Sequence, residues 1–244
     1  MQAKTTVEAA PYAVSLDQVT RSYGTVTALD EVSWGFRPGG LTAIMGQSGS
    51  GKSTFLHCAS GLDRPTAGTV RLGGLDLGDL RETELTRVRR DRIGFVFQGY
   101  NLMPSMDVER NITLPLFLGG RKADRAWLAE VVHRVGMADR LAHKPAQLSG
   151  GQQQRVAVAR ALVTRPEVIF ADEPTAALDP RSAEHVLRLL REAVDQTGQT
   201  IVLVTHDPGV AAWADEVLFL NAGQIVRSLA DPTVQSVLAC WDTL

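Results

Sequence analysis

Leu148-Ser149-Gly150-Gly151-Gln152 decides the reading of this chain, because it stands between two other runs that give it meaning. Upstream, Gly46-Gln47-Ser48-Gly49-Ser50-Gly51-Lys52-Ser53 fits the phosphate-loop pattern G-x-x-x-x-G-K-S in full. Downstream, Val168-Ile169-Phe170-Ala171-Asp172-Glu173 is an apolar strand that ends in two acids. The apolar run Leu41 to Met45 leads straight into the glycines, and Ser53 to Ser60 reads as a helix. That strand–loop–helix order makes the match credible.

The chemistry follows from the residue types. Glycines let backbone N–H groups turn toward phosphate oxygens, and the next helix adds its positive end. Lys52 is expected to reach the β- and γ-phosphates, and the Ser53 hydroxyl to bind Mg²⁺. Thr54 completes the expected nucleotide contacts from Gly46 onward. Asp172 and Glu173 fall at the carboxyl edge of a buried strand, where ligands bind in such sheets. Asp172 is the expected Mg²⁺ holder, through a water, and Glu173 the base that orients and polarises an attacking water. Ser149, Gly150 and Gly151 open a stretch with helical apolar spacing, Gly150 to Val163. Their N–H groups and hydroxyl are suited to a phosphate.

The totals set bounds. The 244 residues allow one large domain or two small ones, and 44% apolar residues can bury a sizeable core. A net charge of −2 gives no sign of nucleic-acid binding. Cys58 and Cys240 lie far apart without metal-ligand spacing, so free thiols are expected. No apolar run approaches the roughly 18 residues that span a bilayer. The start does not read as a secretion signal, so a cytosolic chain brought to any membrane by another chain is expected.

Along the chain, residues 1–11 read as a loose tail and 12–244 as one domain. Val14 to Phe36 suggests a small antiparallel sheet, and Thr69 to Leu72 another strand. Asp79 to Arg90 reads as a charged helix, and Ile93 to Phe97 as a strand stopping at Gln98. The texture then changes: Pro104, Pro115, Gly119-Gly120, and amphipathic stretches at Val108–Leu114 and Ala126–Val135. A helical insertion is expected here, about 99–165 with the signature helix included. Asp179-Pro180 and Asp207-Pro208 each give an N-cap and a first helical residue after strands Val168–Ala171 and Thr200–Thr205. Val217–Leu220 and Gln224–Val226 read as a hairpin. Strands alternating with helices predict an α/β fold with a mostly parallel sheet.

In order and spacing the three motifs resemble the ATP-binding-cassette (ABC) ATPases, over about Val14 to Val226. The resemblance implies a phosphate-loop core, an N-terminal antiparallel β subdomain and a helical signature subdomain. It implies ATP with Mg²⁺, and a head-to-tail homodimer with two ATPs sandwiched at the interface. Ser149, Gly150, Gly151 and Gln152 would meet the neighbour's nucleotide, and Asp179, in Ala177-Leu178-Asp179, would cross the same interface. Gln98 would touch Mg²⁺ and the water. His206, after the strand Ile201–Val204, would contact the γ-phosphate and the water. Tyr23 would stack on adenine, although a surface or core tyrosine is a serious rival. Ala176-Ala177 is a mild departure from the family pattern. Glu173 and His206 are present, as a hydrolysing copy needs.

Gly61 to Gly68, Ile93 to Pro104 and Asn111 to Leu116 resemble the branch of macrolide exporters and lipoprotein-releasing ATPases, the MacB/LolD type. That branch implies an integral-membrane permease partner with four spans and a large extracytoplasmic domain, and a place at the cytoplasmic face of the membrane. Met103, Leu114, Leu116 and Phe117 either offer this permease a socket or fill the insertion's own core. The arginines 81, 87, 89, 90 and 92, interleaved with Glu82, Glu84 and Asp91, read as a solvated helix face. A DNA-repair ABC ATPase would need a long coiled coil between phosphate loop and signature, and no heptads appear there. A tandem-cassette translation factor would need a second phosphate loop. A force-transmitting ATPase that regulates cell-wall hydrolysis without transport stays open.

Overall fold

A computed structural model describes residues 12–243, so the tail expected at 1–11 lies outside the described residues. The chain runs β1 (Val14–Tyr23), β2 (Val26–Phe36), β3 (Leu41–Met45), α1 (Lys52–Ala59), β4 (Ala67–Leu72), β5 (Leu75–Asp76), α2 (Glu82–Arg92) and β6 (Ile93–Phe97). It continues through α3 (Val108–Leu118), α4 (Arg125–Arg134), α5 (Gly150–Leu162), β7 (Val168–Asp172), α6 (Pro180–Thr197) and β8 (Thr200–Val204). Last come α7 (Pro208–Ala211), β9 (Glu216–Asn221), β10 (Gln224–Ala230) and α8 (Val234–Trp241).

Two sheets form. One is antiparallel, in the order β2-β1-β4-β5. The other is six-stranded, in the order β10-β9-β3-β8-β7-β6, and parallel apart from β10. The central strands are apolar on both faces, as a covered parallel sheet requires. Ile169 and Ala171 join one core with α3 to α6, while Val168 and Phe170 join a second with α1 and the antiparallel sheet. Alternation with a period of two thus divides one strand between two cores.

The expected elements are present with shifts at their ends. The hairpin is there, but β9 pairs with β3, so it extends the main sheet. Helix α3 runs to Leu118 through Pro115, and α7 is a single turn. Helix α8, capped by Thr233, carries no strong sequence signal. The arginine-rich helix is laced as expected, with Arg81–Glu84 at 2.9 Å and Arg89–Glu82 at 2.5 Å. Both cysteines are free. Among the described residues no helix is long and apolar enough to cross a membrane.

Candidate functional site

The phosphate loop leaves β3 and turns into α1. Gly51 has φ 104°, and a Cβ there would lie 2.3 Å from the Ala28 carbonyl, so only glycine fits. The Ser50 carbonyl accepts from Gly223 N–H at 2.9 Å, and the Gly223 carbonyl accepts from Asp30 N–H at 3.0 Å. The β9–β10 turn and β2 therefore brace the loop from behind. The Lys52 ammonium donates to the carbonyls of Gly46 at 2.8 Å and Gln47 at 2.9 Å. Burial pulls the Lys52 pKa down, and the charges of Glu173 and Asp172 oppose that. Gln47, Ser48, Gly49 and Ser53 are exposed at the mouth of the loop.

Register brings the catalytic candidates to the same edge. Phe97 lies opposite Asp172, Asp172 opposite Val204, and Val204 opposite Ile44. Gln98, Glu173, Thr205 and the phosphate loop therefore leave the sheet side by side. Glu173 has φ 47°, a left-handed conformation that an unbranched acid holds only against resistance. Its N–H donates to the Val204 carbonyl at 3.0 Å, which fixes the turn. Its Oε1 lies 2.7 Å from His206 Nδ1. The His206 side chain is 66% exposed and that of Glu173 18%, so the ring stands between carboxylate and solvent.

Burial pushes the Asp172 pKa up, and the Glu173 charge adds to this, while His57 and Lys52 pull it down. A partly buried carboxylate whose charge is disfavoured by burial gains from a divalent ion beside it. The expected donors, Ser53, Gln98 and Asp172, all offer oxygen, the set that Mg²⁺ prefers. Among the described residues no group of three His, Cys, Asp or Glu side chains could hold a metal. An ion here would take its other ligands from phosphate and water, as Mg²⁺ commonly does.

Tyr23 stands at the tip of β1, 47% exposed. Its hydroxyl donates to Asp63 Oδ2 at 2.5 Å, and Arg21 donates to the same oxygen at 2.9 Å. The Arg21 guanidinium also lies 4.4 Å from the ring centroid. One face of the ring is thus covered, and the opposite face is the one a base can stack on.

The signature forms a capping box. Ser149 Oγ accepts from Gln152 N–H at 3.3 Å, and Gln152 Oε1 accepts from Ser149 N–H at 2.9 Å. The Gln152 amide oxygen is therefore occupied inside the chain. Asp179 caps α6 by accepting from Ser182 N–H at 3.1 Å, and hydrogen bonding from the Ser182 side chain first, then from its N–H, holds the Asp179 carboxyl below the ordinary range. A Cβ at Gly151 would meet Ser182 Oγ at 2.5 Å, and one at Gly150 would meet the Tyr100 hydroxyl at 2.7 Å. Signature and Asp179 turn are packed together, but no hydrogen bond among the described residues joins them to the phosphate loop. Apart from Tyr23 at the β1 tip, the expected residues thus fall into two groups: the edge around Lys52 and Glu173, and the Ser149–Asp179 cluster.

Sequence reading assigned no role to Asp63 or Gln154. Gln154 is fully buried on α5, and its amide nitrogen donates to the Phe97 carbonyl at 3.2 Å and the Pro174 carbonyl at 2.5 Å. The available signal was a polar residue on the apolar phase of the helix, three before Ala157 and seven before Ala161. The cleft of about 570 Å³ lined by Tyr12, Trp127, Arg165 and Gln199 lies at the opposite, amino-terminal edge of β7 and β8.

Residues 29–176 match the ABC transporter family. The chain is 46% identical over 220 residues to the macrolide export ATP-binding/permease protein MacB of Marinobacter nauticus, covering 88% of this chain and 34% of that protein. It therefore spans about a third of the MacB relatives it matches. It is 41% identical over 222 residues to the lipoprotein-releasing system ATP-binding protein LolD 1 of Rhodospirillum rubrum, covering 88% of this chain and 98% of that one. A dimeric post-hydrolysis structure of the ATP-binding cassette MJ0796 with ADP and Pi superimposes with a TM-score of 0.82 at 40% identity, over 90% of this chain and 99% of that one.

Proposed function

Because this chain belongs to the ABC transporter family of ATP hydrolases, we propose that it is the ATP-binding subunit that powers a separate membrane permease of the MacB/LolD type. The observation that carries this reading is the shared carboxyl edge. There the phosphate loop, Gln98, Asp172, Glu173 and His206 lie at or just beyond the carboxyl ends of neighbouring strands.

ATP takes the phosphate loop from Gly46 to Thr54, its base stacks on the open face of Tyr23, and Lys52 balances the β- and γ-phosphate charge. Ser53, Asp172 and Gln98 would hold Mg²⁺, which neutralises charge that develops on the phosphates. Glu173 polarises the water that attacks the γ-phosphorus, and His206 holds that carboxylate and faces the γ-phosphate. The products are ADP and inorganic phosphate. Ser149, Gly150 and Gly151 of one chain meet the γ-phosphate held by a second copy, and Asp179 crosses the same interface. ATP closes this homodimer and hydrolysis reopens it. The segment 99–165 is the helical unit that carries the signature.

The permease docks at the edge strand β6. A groove of about 380 Å³ lies there, lined by Phe95, Phe97, Leu114, Pro115, Leu118 and Arg89 among others. Of the four residues expected to form the socket, Leu116 is in the core and is unavailable. Met103 and Phe117 are exposed, and Leu114 lines the groove. The chain then works at the cytoplasmic face of the membrane, in export or extrusion, on a permease with four spans and a large outer domain.

The test is a capture in membranes. The Glu173→Gln variant is trapped with ATP, crosslinked from a probe at Met103, and the attached protein identified. A permease of that build is the expected product. A soluble protein, or nothing despite verified ATP-bound dimers, would remove the transporter and leave the ATPase.

A further inference from the structure

Helix α5 begins as the signature and then runs beneath the catalytic edge. Four residues after Gly150, Gln154 reaches two carbonyls that flank catalytic candidates. Phe97 immediately precedes Gln98, and Pro174 immediately follows Glu173. One buried amide therefore ties the signature helix to both loops that would face the attacking water. Two turns further on, Arg160 holds the Tyr100 carbonyl at 2.8 Å and the Asn101 carbonyl at 2.5 Å. Tyr100 and Asn101 have φ 59° and 49°, so the chain after Gln98 is held in a left-handed bend against α5. The Tyr100 hydroxyl in turn comes back to Gly150.

Gln154 is not built as a filler. Its side chain is fully buried, and among the described residues no group bonds its Oε1. An apolar side chain would avoid that cost, as Val156 and Val158 do on the same helix. A buried amide that holds two loop carbonyls at once links the positions of those loops to each other and to α5. We infer that Gln154 is the positioning residue through which the signature helix sets Glu173 and Gln98 of its own chain. The inference rests on the dimer proposed above. There the signature of one chain touches the nucleotide of the other, so Gln154 would make each Glu173 respond to the occupancy of the opposite site. It predicts that the two sites hydrolyse cooperatively and that this cooperativity runs through one amide.

The experiment compares Gln154→Leu and Gln154→Glu with the unaltered chain, at protein concentrations where ATP-bound dimers dominate. Three quantities are read: binding of a fluorescent ATP analogue, ATP-induced dimers in a Glu173→Gln background, and the dependence of turnover on ATP. Binding should stay within about twofold and dimers should persist, while kcat falls about tenfold. The Hill coefficient should fall from about 2 toward about 1, a change that loosened packing alone does not produce. Unchanged turnover and cooperativity in variants that bind ATP would overturn the inference. So would failure of both variants to fold, which would make Gln154 a structural residue. If the unaltered chain with Glu173→Gln forms no ATP dimer, the dimer reading itself falls, and this inference with it.

Discussion

His206 Nδ1 and Glu173 Oε1 lie 2.7 Å apart, a side-chain link added to the backbone pairing of two adjacent strand ends. Glu173 also holds a backbone conformation with φ 47° that its residue type disfavours. The ring is therefore a brace for a carboxylate already fixed by its turn. Removing it in His206→Ala should lower kcat about 10–100-fold, the worth of one hydrogen bond to a charged group. KM for ATP should stay nearly constant. Steady-state phosphate release decides this, and a change confined to KM would contradict the role.

Tyr23 is fixed before any nucleotide arrives, by Asp63 at its hydroxyl and Arg21 on one face. Tyr23→Ala should weaken ATP binding by about 1–3 kcal/mol, the usual worth of a base–aromatic stack, with kcat little changed. Asp63→Asn should act in the same direction and less. Titration with a fluorescent ATP analogue measures both. Equal affinity in Tyr23→Ala would return Tyr23 to the rival reading of a plain surface tyrosine.

Asp172 gives a pH-dependent effect on stability. Its pKa is raised above the ordinary 3.8, chiefly by burial. A folded state that binds this proton more tightly than the unfolded chain loses stability as pH rises through the carboxyl range. Asp172→Asn should therefore raise the melting temperature of the nucleotide-free chain at neutral pH. The gain should shrink as pH falls toward and below the ordinary value. The same variant should lose the added stability that ATP with Mg²⁺ confers. Melting curves across pH, with and without nucleotide, test both halves.

The groove beside β6 separates coupling from chemistry. Leu118 lines it and is 64% exposed, so Leu118→Glu should change folding stability by no more than about 0.5 kcal/mol and leave the ATPase of the isolated chain unchanged. Stimulation by a co-reconstituted permease should be lost. Retained stimulation would move the docking surface elsewhere.

Much of this was legible because local chemistry and fold agree at the motifs. Strand, glycine turn and helix follow one another at Leu41–Ala59, and the caps Asp179 and Asp207 lie where the helices start. The α/β class and the two-group site follow from such signals. What stayed hidden depends on tertiary neighbours. Leu116 and Phe117 are adjacent and equally apolar, yet one is buried and the other 74% exposed, which only packing of α3 decides. Asp63 matters because a distant strand tip brings Tyr23 to it. The β9–β10 hairpin reads as a separate unit until its pairing with β3 is seen. Helix α8 has weak propensity and follows from its cap and its contact with the core.

The central claim is that two copies close around ATP, each lending its signature to the other. The direct measurement is the mass in solution of the Glu173→Gln chain with saturating ATP, with bound nucleotide counted. A dimer carrying two ATPs, reverting to monomer with ADP, is the result predicted here. A monomer that binds ATP fully would contradict it.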